Sequence, residues 1–303
     1  LNRESHWRFK LDLERINWKD GILGDLSIDA ASVSDPVLIR GDGQFLYTLA
    51  SVCDDVDFGI TNVVRGSDHV TNTATQIQII ESLGGNVPDF SHHSLLTGSK
   101  GEPLSKRLGT LSLRDLRANG LEPMAILSYM SRLGSSEAIE LFDNIDDLAE
   151  NFDISNFGAQ PTKFDLTDIL PLSKKYISGL DVSEVYDNLK ASGVPSDIAP
   201  NFWLIVRENI STRAEIKHWW SICSEGVTPV IDKEDIKFIE IAKSLLPVGN
   251  FDENTWKNWT SEIKAITGRK GKTLFMPLRK ALTGMEHGPD MSRLLPLLQK
   301  INI

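Results

Sequence analysis

The order of elements predicted for residues 60–97 constrains the fold more than any other feature. Residues 60–65 form a short β-branched run, which predicts a strand. Apolar residues recur at helical spacing across residues 70–83, and Gly84-Gly85 ends that helix. Residues 94–97 predict a following strand. A strand, a helix and a second strand indicate a parallel crossover, as in nucleotide-binding α/β sheets.

The segments on either side of this crossover have their own signals. Residues 35–40 have strand composition, Asp42 and Gly43 favour a tight turn, and residues 44–47 predict a returning strand. Pro123 predicts the start of a helix that ends at Gly134. The first 100 residues are therefore mixed α/β, and the next 65 are basic and then helical.

From residue 166 onward no convincing strand is present, which predicts an all-helical domain. Trp256, Trp259, Ile263 and Ile266 follow helical spacing and predict one buried helix face. A second helix is predicted around 274–282, and Asp290 can cap a last helix that carries leucines at 294, 295 and 298.

Charge limits the partners of this chain. The 303 residues match about two domains at about 150 residues each, and their net charge of −10 argues against a uniform coat on nucleic acid. Any RNA contact then needs a local basic patch. Residues 264–280 supply one, with six cations and no acid. The six are Lys264, Arg269, Lys270, Lys272, Arg279 and Lys280. A charged loop beside a buried helix is the alternative.

Cysteine content and hydropathy bear on compartment. Cys53 and Cys223 have no ligand spacing around them, so neither a zinc site nor a disulfide framework is expected, and the cytoplasm is the expected location. No apolar run approaches the about 20 residues of a membrane span. The chain begins at Leu1 rather than Met and soon has the composition of a folded segment. We therefore expect a piece of a larger protein, with simple loss of the initiator Met as the alternative.

A cationic loop at residues 101–109 is the first candidate site. Ser105, Lys106 and Arg107 lie between glycines. Backbone N–H groups and an ammonium in such a loop can stabilise the charge that grows on a triphosphate as pyrophosphate leaves. A solvated turn is the alternative for these residues taken alone.

The second candidate lies at the end of the predicted strand 60–65. Arg65 can bind a carboxylate with its forked guanidinium, and Asp68 and His69 lie near a helix N-terminus, where a nucleotide can be held. An N-capping Asp beside a surface Arg is the alternative.

The third candidate pairs a phenol with a hydroxyl. Tyr47 and Ser51 share a face if they lie on a helix, so they can hydrogen-bond a small polar ligand. A core role for Tyr47 is the alternative. Asp54 and Asp55 lack a third ligand at metal-binding spacing, so no metal site is predicted. His92 and its neighbour are interpreted as residues at a strand end, without a nucleophile partner.

Taken in order, these segments resemble one family, the bacterial glutamyl-tRNA synthetases of class I, and most closely the alphaproteobacterial branch. Residues 35–55 are similar to the sheet and turn before that family's active site, and residues 60–73 to its Val-Ile-Arg-Gly-Glu-Asp-His segment. Leu104-Ser105-Lys106-Arg107 resembles its version of the Lys-Met-Ser-Lys-Ser signature, and residues 274–289 resemble a C-terminal signature. The resemblance runs from about Trp7 to the end.

The resemblance implies part of a Rossmann-like α/β catalytic domain followed by an all-α anticodon-binding domain. Residues 1–100 are expected to be the C-terminal half of the catalytic domain, with the end of its insertion. Residues 101–165 are expected to hold the signature loop and to contact the tRNA stem. Residues 166–303 are expected to form the helical domain.

The resemblance also implies a reaction, its substrates and its residues. ATP, with Mg²⁺, activates L-glutamate, which is then transferred to the 3′ end of tRNA(Glu) by a monomer without zinc or a membrane partner. Charging of tRNA(Gln) is left open. Implied roles are catalysis for Lys106 and Arg107, ATP binding for Lys106, Asp68, Leu95 and Leu96, glutamate binding for Tyr47, Ser51 and Arg65, and tRNA binding for Lys270, Lys272 and Arg279.

The sequence departs from the family pattern in several places. Ser51 stands where much of the family has Asn, Ser67 replaces one acid of an acidic pair, and Pro103 replaces the first Lys of the signature loop. The family's His-Ile-Gly-His signature does not occur in these 303 residues. A non-catalytic tRNA-binding fragment is therefore the alternative function. A glutaminyl enzyme is disfavoured because residues 166–303 lack β periodicity.

Overall fold

The computed structural model describes residues 5–98, 101–102 and 112–303 of the chain. It divides into two compact units, each with its own segments. Unit 1 comprises Leu1–Gly109, Met130–Glu140 and Ile145–Asp165, and unit 2 comprises Thr110–Tyr129, Leu141–Asn144 and Leu166–Ile303. Residues 101–165, expected to be one connecting region, are thus shared between the two units.

The strands within the described residues of unit 1 form four pairs. Strand β1 (Trp7–Arg8) pairs with β4 (Val37–Ile39), and β2 (Arg15–Asp20) pairs with β3 (Gly24–Asp29); both pairs are antiparallel. Strand β5 (Asn62–Gly66) pairs in parallel with β6 (Asp89–His93), and β7 (Leu96–Thr97) pairs in parallel with β8 (Thr162–Lys163).

The predicted parallel crossover is confirmed, with a different second strand. Strand β5 leads through a helical turn at Ser67–His69 into helix α2 (Val70–Ser82), and the chain returns in β6 with Arg65 opposite His92. The strand predicted at 94–97 is wrong as the partner of β5, because only residues 96–97 are extended and they pair with β8. The run Asp89–His93 contains no β-branched residue, so composition did not mark it as a strand.

The predicted hairpin at 35–47 is only partly formed. Ile39 bridges Phe45 across the turn, and the backbone N–H of Leu46 donates to the Leu38 carbonyl. The returning segment then stops, because helix α1 (Tyr47–Asp57) begins at Tyr47. This start places Tyr47 and Ser51 on one helix, as their shared face requires.

Helix α2 forms the centre of unit 1. Every residue from 73 to 80 is buried, four of them polar and four apolar. Ala74 and Ile77 pack with Ile16 and Phe90, whereas Ile79 and Ile80 pack around Val52 of α1. The helix therefore contacts strands on one side and α1 on the other, and its buried polar groups need partners.

The remaining elements are helices. Helix α5 (Ile145–Glu150) belongs to unit 1, and after residue 163 the described residues contain no strand. The other helices are α3 (Leu113–Ala118), α4 (Pro123–Met130), α6 (Ile169–Gly179), α7 (Tyr186–Ala191), α8 (Ala199–Val206), α9 (Glu215–Glu225), α10 (Ile236–Ser244), α11 (Thr255–Thr267), α12 (Lys272–Thr283) and α13 (Met291–Leu294).

Two buried tryptophans link helices in the core of unit 2. The indole N–H of Trp203 donates to the Leu180 carbonyl at 2.9 Å, and that of Trp259 donates to the Ala242 carbonyl at 2.9 Å. Each large ring therefore contributes apolar burial without an unpaired donor. The prediction that Ile266 shares the buried face of α11 is wrong, because its side chain is 61% exposed in the last turn. The predicted Asp290 cap is confirmed, since its carboxylate accepts from the Ser292 N–H.

An ion pair joins distant parts of the chain within unit 2. The Nε and Nη2 atoms of Arg213 donate to the two carboxylate oxygens of Glu122 at 2.8 and 3.1 Å. Glu122 is buried, and hydrogen bonding to it is the main cause that raises the pKa of Arg213, against the effect of burial. An ion pair with two parallel hydrogen bonds fixes the relative orientation of the two side chains, in addition to the attraction between their charges.

Candidate functional site

The candidate site lies where β5 and β6 end. Strand β5 delivers Arg65 next to this edge, and the turn at Ser67–His69 places Asp68 in the first turn that leads into α2. Ligands of open α/β sheets bind outside the carboxyl ends of the parallel strands. The geometry thus brings the second sequence candidate to the edge where a ligand is expected.

Arg65 is oriented by three side chains from two elements, helix α2 and strand β6. Its Nη2 lies 2.5 Å from Thr73 Oγ1 of α2, and its Nε lies 3.3 Å from His92 Nε2 of β6. The guanidinium carbon lies 5.4 Å from the centre of the Phe90 ring. In the described part of the chain its Nη1 has no hydrogen-bond partner, so one end of the fork is left for a ligand.

His92 belongs to this arrangement, although the sequence interpretation assigned it only to a strand end. Its ring is fully buried, and Nδ1 lies 2.5 Å from Asp20 Oδ2 at the end of β2. No hydrophobic alternation marks it in the sequence, and it is the structure that places Phe90, His92 and Ser94 on one buried face of β6 and the residues after it. Asp20 carried no signal, because 72 residues separate it from His92.

The Asp20 carboxylate is held in its charged form. Burial raises its pKa, but the His92 side chain and the backbone N–H groups of Leu23, His92 and Ile22 donate to it and leave the pKa below its usual value. Three of these bonds, from the backbone, reach Oδ1 at 3.0 Å each. A buried acid with this many donors is an anion with a fixed orientation.

Tyr47 and Ser51 lie on α1 beside the same helix. The Tyr47 side chain is 57% exposed, and its ring centre lies 6.0 Å from that of His69. Ser51 Oγ accepts a hydrogen bond of 3.1 Å from the amide of Gln76 on α2. Because Oγ accepts this bond, its own hydrogen is free to point to a ligand acceptor. Tyr47 is therefore not a core residue, and Gln76 is a neighbour that the sequence interpretation missed.

Asp68 and Leu95 converge on Gly66. A Cβ atom at residue 66 would lie 2.5 Å from Asp68 Oδ1 and 3.1 Å from Leu95 Cδ2, so a larger residue there would displace the ends of both side chains. Leu95 is exposed, and Leu96 is half-buried at the start of β7. A carboxylate acceptor beside an exposed apolar side chain fits a nucleoside, which has polar ribose hydroxyls and an apolar base face. Lys106 and Arg107 lie outside the described residues.

The basic segment of unit 2 is partly neutralised. Arg269 pairs with Asp235 at 2.5 Å, and Lys280 pairs with Asp232 at 2.7 Å. The predicted patch of six cations is therefore smaller than its sequence indicates, because the two acids of the 3₁₀ turn before α10 pair with two of them.

Three cations remain exposed in this segment. Lys264, Lys270 and Lys272 form no ion pair with any described residue, and all three are exposed. Arg279 differs, because it is half-buried and its Nη1 has no hydrogen-bond partner among the described residues. Burial lowers its pKa, and nearby Asp290 opposes that effect.

The described residues contain neither a metal-ligand cluster nor a membrane-spanning helix. Among residues 5–98, 101–102 and 112–303, no group of three or more His, Cys, Asp or Glu side chains could hold a metal ion. Within the same ranges, no helix is both long and apolar enough to cross a bilayer.

Two family models match the chain. The model for tRNA synthetases class I (E and Q), catalytic domain, covers residues 2–171, and the model for an anticodon binding domain covers residues 204–303. The chain is 64% identical over 295 residues to glutamate–tRNA ligase 1 of Roseobacter denitrificans, which covers 97% of this chain and 67% of that protein. This chain belongs to the glutamate–tRNA ligase family.

Another relative matches a similar share of both chains. Glutamate–tRNA ligase 2 of Jannaschia sp. is 61% identical over 97% of this chain and 65% of its own length. The chain thus spans about two thirds of the length of these curated glutamate–tRNA ligases. A crystal structure of a glutamate tRNA ligase from Elizabethkingia meningosepticum shares the fold, with a TM-score of 0.76 at 23% identity, over 96% of this chain and 65% of that one.

Family membership confirms the fold class expected from the sequence. The class I catalytic match includes β1 to β8 and every candidate residue of the α/β part, and the anticodon-domain match includes Lys270, Lys272 and Arg279. The individual roles of these residues stay predictions. In the structure His92 and Gln76 contact the candidate residues Arg65 and Ser51, and Asp20 contacts His92.

Proposed function

We propose that this protein is a glutamate–tRNA ligase. It activates L-glutamate with ATP and transfers it to tRNA(Glu). The observation that carries this proposal is the arrangement around Arg65. A guanidinium with a free end lies beside α2, whose next turn carries Gln76 against the Ser51 hydroxyl. Residues three apart on a helix are neighbours, so Thr73 and Gln76 hold the Arg65 cation and the Ser51 hydroxyl against neighbouring positions of α2.

The first step joins glutamate to ATP. An oxygen of the substrate α-carboxylate attacks the α-phosphorus, the bond to the bridging oxygen breaks, and pyrophosphate leaves. Arg65 binds the side-chain carboxylate, and Tyr47 and Ser51 supply hydroxyl groups to the amino acid. Asp68, Leu95 and Leu96 hold the nucleoside. Lys106 and Arg107 stabilise the charge on the leaving pyrophosphate, and Mg²⁺ that enters with ATP would supply further charge stabilisation.

The second step transfers the acyl group. The terminal ribose hydroxyl of tRNA attacks the carbonyl carbon, and AMP leaves with the electron pair of the mixed anhydride bond. Lys270, Lys272 and Arg279 bind the tRNA in the anticodon region, and residues 101–165 contact its stem. We place this reaction in the cytoplasm and assign the enzyme as a monomer.

Aminoacylation tests this function directly. The protein expressed from its complete reading frame is expected to attach radiolabelled L-glutamate to tRNA in an ATP-dependent reaction. Lys106→Ala is expected to slow adenylate formation about 100- to 1,000-fold, the loss expected for one oriented transition-state donor. An unchanged rate refutes the role of Lys106, and a wild-type protein that charges no tRNA refutes the function.

A second candidate function concerns the 303-residue chain by itself. It spans about two thirds of its relatives, and unit 2 has a hydrophobic core of its own. In this second function, the 303-residue chain binds tRNA but does not activate glutamate, and it therefore acts as a tRNA-binding module. Comparison of ATP–pyrophosphate exchange and tRNA binding between this chain and the product of the complete reading frame separates the two functions.

A further inference from the structure

We propose that Asp20 and His92 are a buried positioning pair that aims the Arg65 guanidinium at the side-chain carboxylate of the amino-acid substrate. The inference rests on the proposed function, because it concerns how that site recognises an acidic side chain. Neither residue touches the substrate in the proposed reaction. Both are nevertheless fully or almost fully buried. Burial of polar groups beside Arg65 costs desolvation free energy, so we infer that the two residues have a role there.

The first step of the argument is the orientation of Asp20. Its Oδ1 accepts three backbone hydrogen bonds, from Ile22, Leu23 and His92, each at 3.0 Å. These bonds leave Oδ2 for the His92 ring, at 2.5 Å from Nδ1. A carboxylate can only accept, so this contact assigns the imidazole hydrogen to Nδ1. The other ring nitrogen, Nε2, faces the N–H of Arg65 Nε, which can only donate, so Nε2 carries the lone pair.

The second step is what that lone pair faces. The Nε2 atom of His92 lies 3.3 Å from Arg65 Nε and 2.9 Å from Thr73 Oγ1. Thr73 Oγ1 in turn accepts from Arg65 Nη2 at 2.5 Å. One side of the guanidinium is thus fixed by two acceptors on different elements, and the Phe90 ring at 5.4 Å limits rotation of its plane. The end of the fork, with one hydrogen on each Nη atom, is available to a carboxylate.

The third step concerns charge. Both groups that accept from Arg65 are neutral, a ring nitrogen and a hydroxyl. The Asp20 anion is separated from Arg65 by the imidazole, and Asp55 interacts with Arg65 through charge alone, without a hydrogen bond. A carboxylate in direct contact with Arg65 would neutralise the cation before substrate arrives. The interposed imidazole orients the guanidinium and preserves its positive charge for the ligand, which favours an acidic side chain over an amide.

The test uses substitutions at residue 92 in the protein from the complete reading frame, assayed by charging of tRNA with radiolabelled L-glutamate. His92→Leu removes the acceptor and is expected to raise KM for glutamate about 10- to 100-fold, the effect of misaligning a charged hydrogen bond, with KM for ATP within about twofold of wild type. His92→Gln offers an amide oxygen to Arg65 and is expected to restore most of the affinity. His93→Leu, at the exposed neighbouring histidine, is the matched control and leaves both KM values unchanged.

Asp20→Asn provides a second variant that keeps the shape of the buried site. The three backbone N–H groups hold the amide oxygen at the Oδ1 position, so the amide nitrogen faces His92 Nδ1 and donates to it. The imidazole must then carry its hydrogen on Nε2, which opposes the Arg65 N–H. We expect KM for glutamate to rise about tenfold, again without an equal rise for ATP.

The outcomes distinguish this inference from the function on which it rests. If wild type charges tRNA and Arg65→Lys raises KM for glutamate, while His92→Leu and Asp20→Asn leave that KM unchanged, the positioning role is refuted and the function stands. Equal rises in KM for glutamate and ATP in both variants also refute it, because they indicate general damage to the fold. If wild type charges no tRNA, the proposed function itself fails.

Discussion

Helix α2 offers a paired test of how buried amides are satisfied. Gln76 and Gln78 are both almost fully buried on this helix. The Gln78 amide makes two hydrogen bonds of 2.9 Å, donating to the Asp12 carbonyl and accepting from its N–H. The Gln76 amide donates only to Ser51, and its Oε1 has no partner among the described residues. Leu is close in size to Gln. Substitution of Gln78 by Leu removes two hydrogen bonds, whereas substitution of Gln76 by Leu removes one hydrogen bond and one unpaired carbonyl oxygen.

The expected magnitudes follow from these contacts. Gln78→Leu loses two net hydrogen bonds of about 1 kcal/mol each, so we expect a loss of about 2 kcal/mol. Gln76→Leu loses one such bond but also removes a buried unpaired carbonyl, which costs about 1 to 3 kcal/mol where it stands. Its effect on stability is therefore expected to lie near zero or to be stabilising. The two variants should differ by at least about 2 kcal/mol.

Hydrogen exchange of the peptides that cover α2 measures this difference, because it reports the opening free energy of one helix rather than of the whole two-unit chain. The effects of the two substitutions on KM for glutamate should be in the reverse order. Gln76→Leu releases the Ser51 hydroxyl and is expected to raise KM for glutamate severalfold, whereas Gln78→Leu leaves it unchanged. A Gln76→Leu variant that is destabilised as much as Gln78→Leu refutes the reasoning.

Three other predictions follow from charge and burial. The pKa of Asp20 is lowered in the fold, so its contribution to stability is present above about pH 4 and is lost as the pH falls below that value. The difference in unfolding free energy between wild type and Asp20→Asn should therefore shrink as the pH falls below about 4. Replacing Lys270 and Lys272 by Ala should flatten the salt dependence of tRNA binding by about 0.7 to 0.9 for each lost phosphate contact, whereas Lys280→Ala, whose cation is already paired, should not. Burial raises the pKa of Cys223 to about 12, so a thiol reagent should label only the other, half-buried cysteine until the protein is denatured.

Local sequence signals predicted the local structure well. The span of α2, its end at Gly84 and the cap at Asp290 were all predictable, because each depends on residues within about one helical turn. The placement of β6 was not predictable from composition, since that strand owes its position to the pairing of Arg65 with His92 in the parallel register. Strand formation there is decided by its neighbour.

The candidate site shows a similar division. Arg65, Asp68, Tyr47 and Ser51 were found because short motifs carry them. The Asp20–His92 contact joins positions 72 residues apart, and no local pattern encodes it. The neutralised cations of the basic segment have the same cause, because Asp232 and Asp235 lie outside the run that made the segment appear uniformly positive.

The ion pair between Glu122 and Arg213 has a consequence for dissecting the protein. Glu122 lies before residue 166 and Arg213 after it, yet both belong to unit 2. An isolated fragment that starts at the expected domain boundary, or at residue 204 where the anticodon-domain match begins, would keep the arginine and discard its carboxylate. It would also lose α3 and α4. Recombinant anticodon domains should therefore start before α3, near residue 110, so that the polypeptide includes every segment from which this unit is assembled.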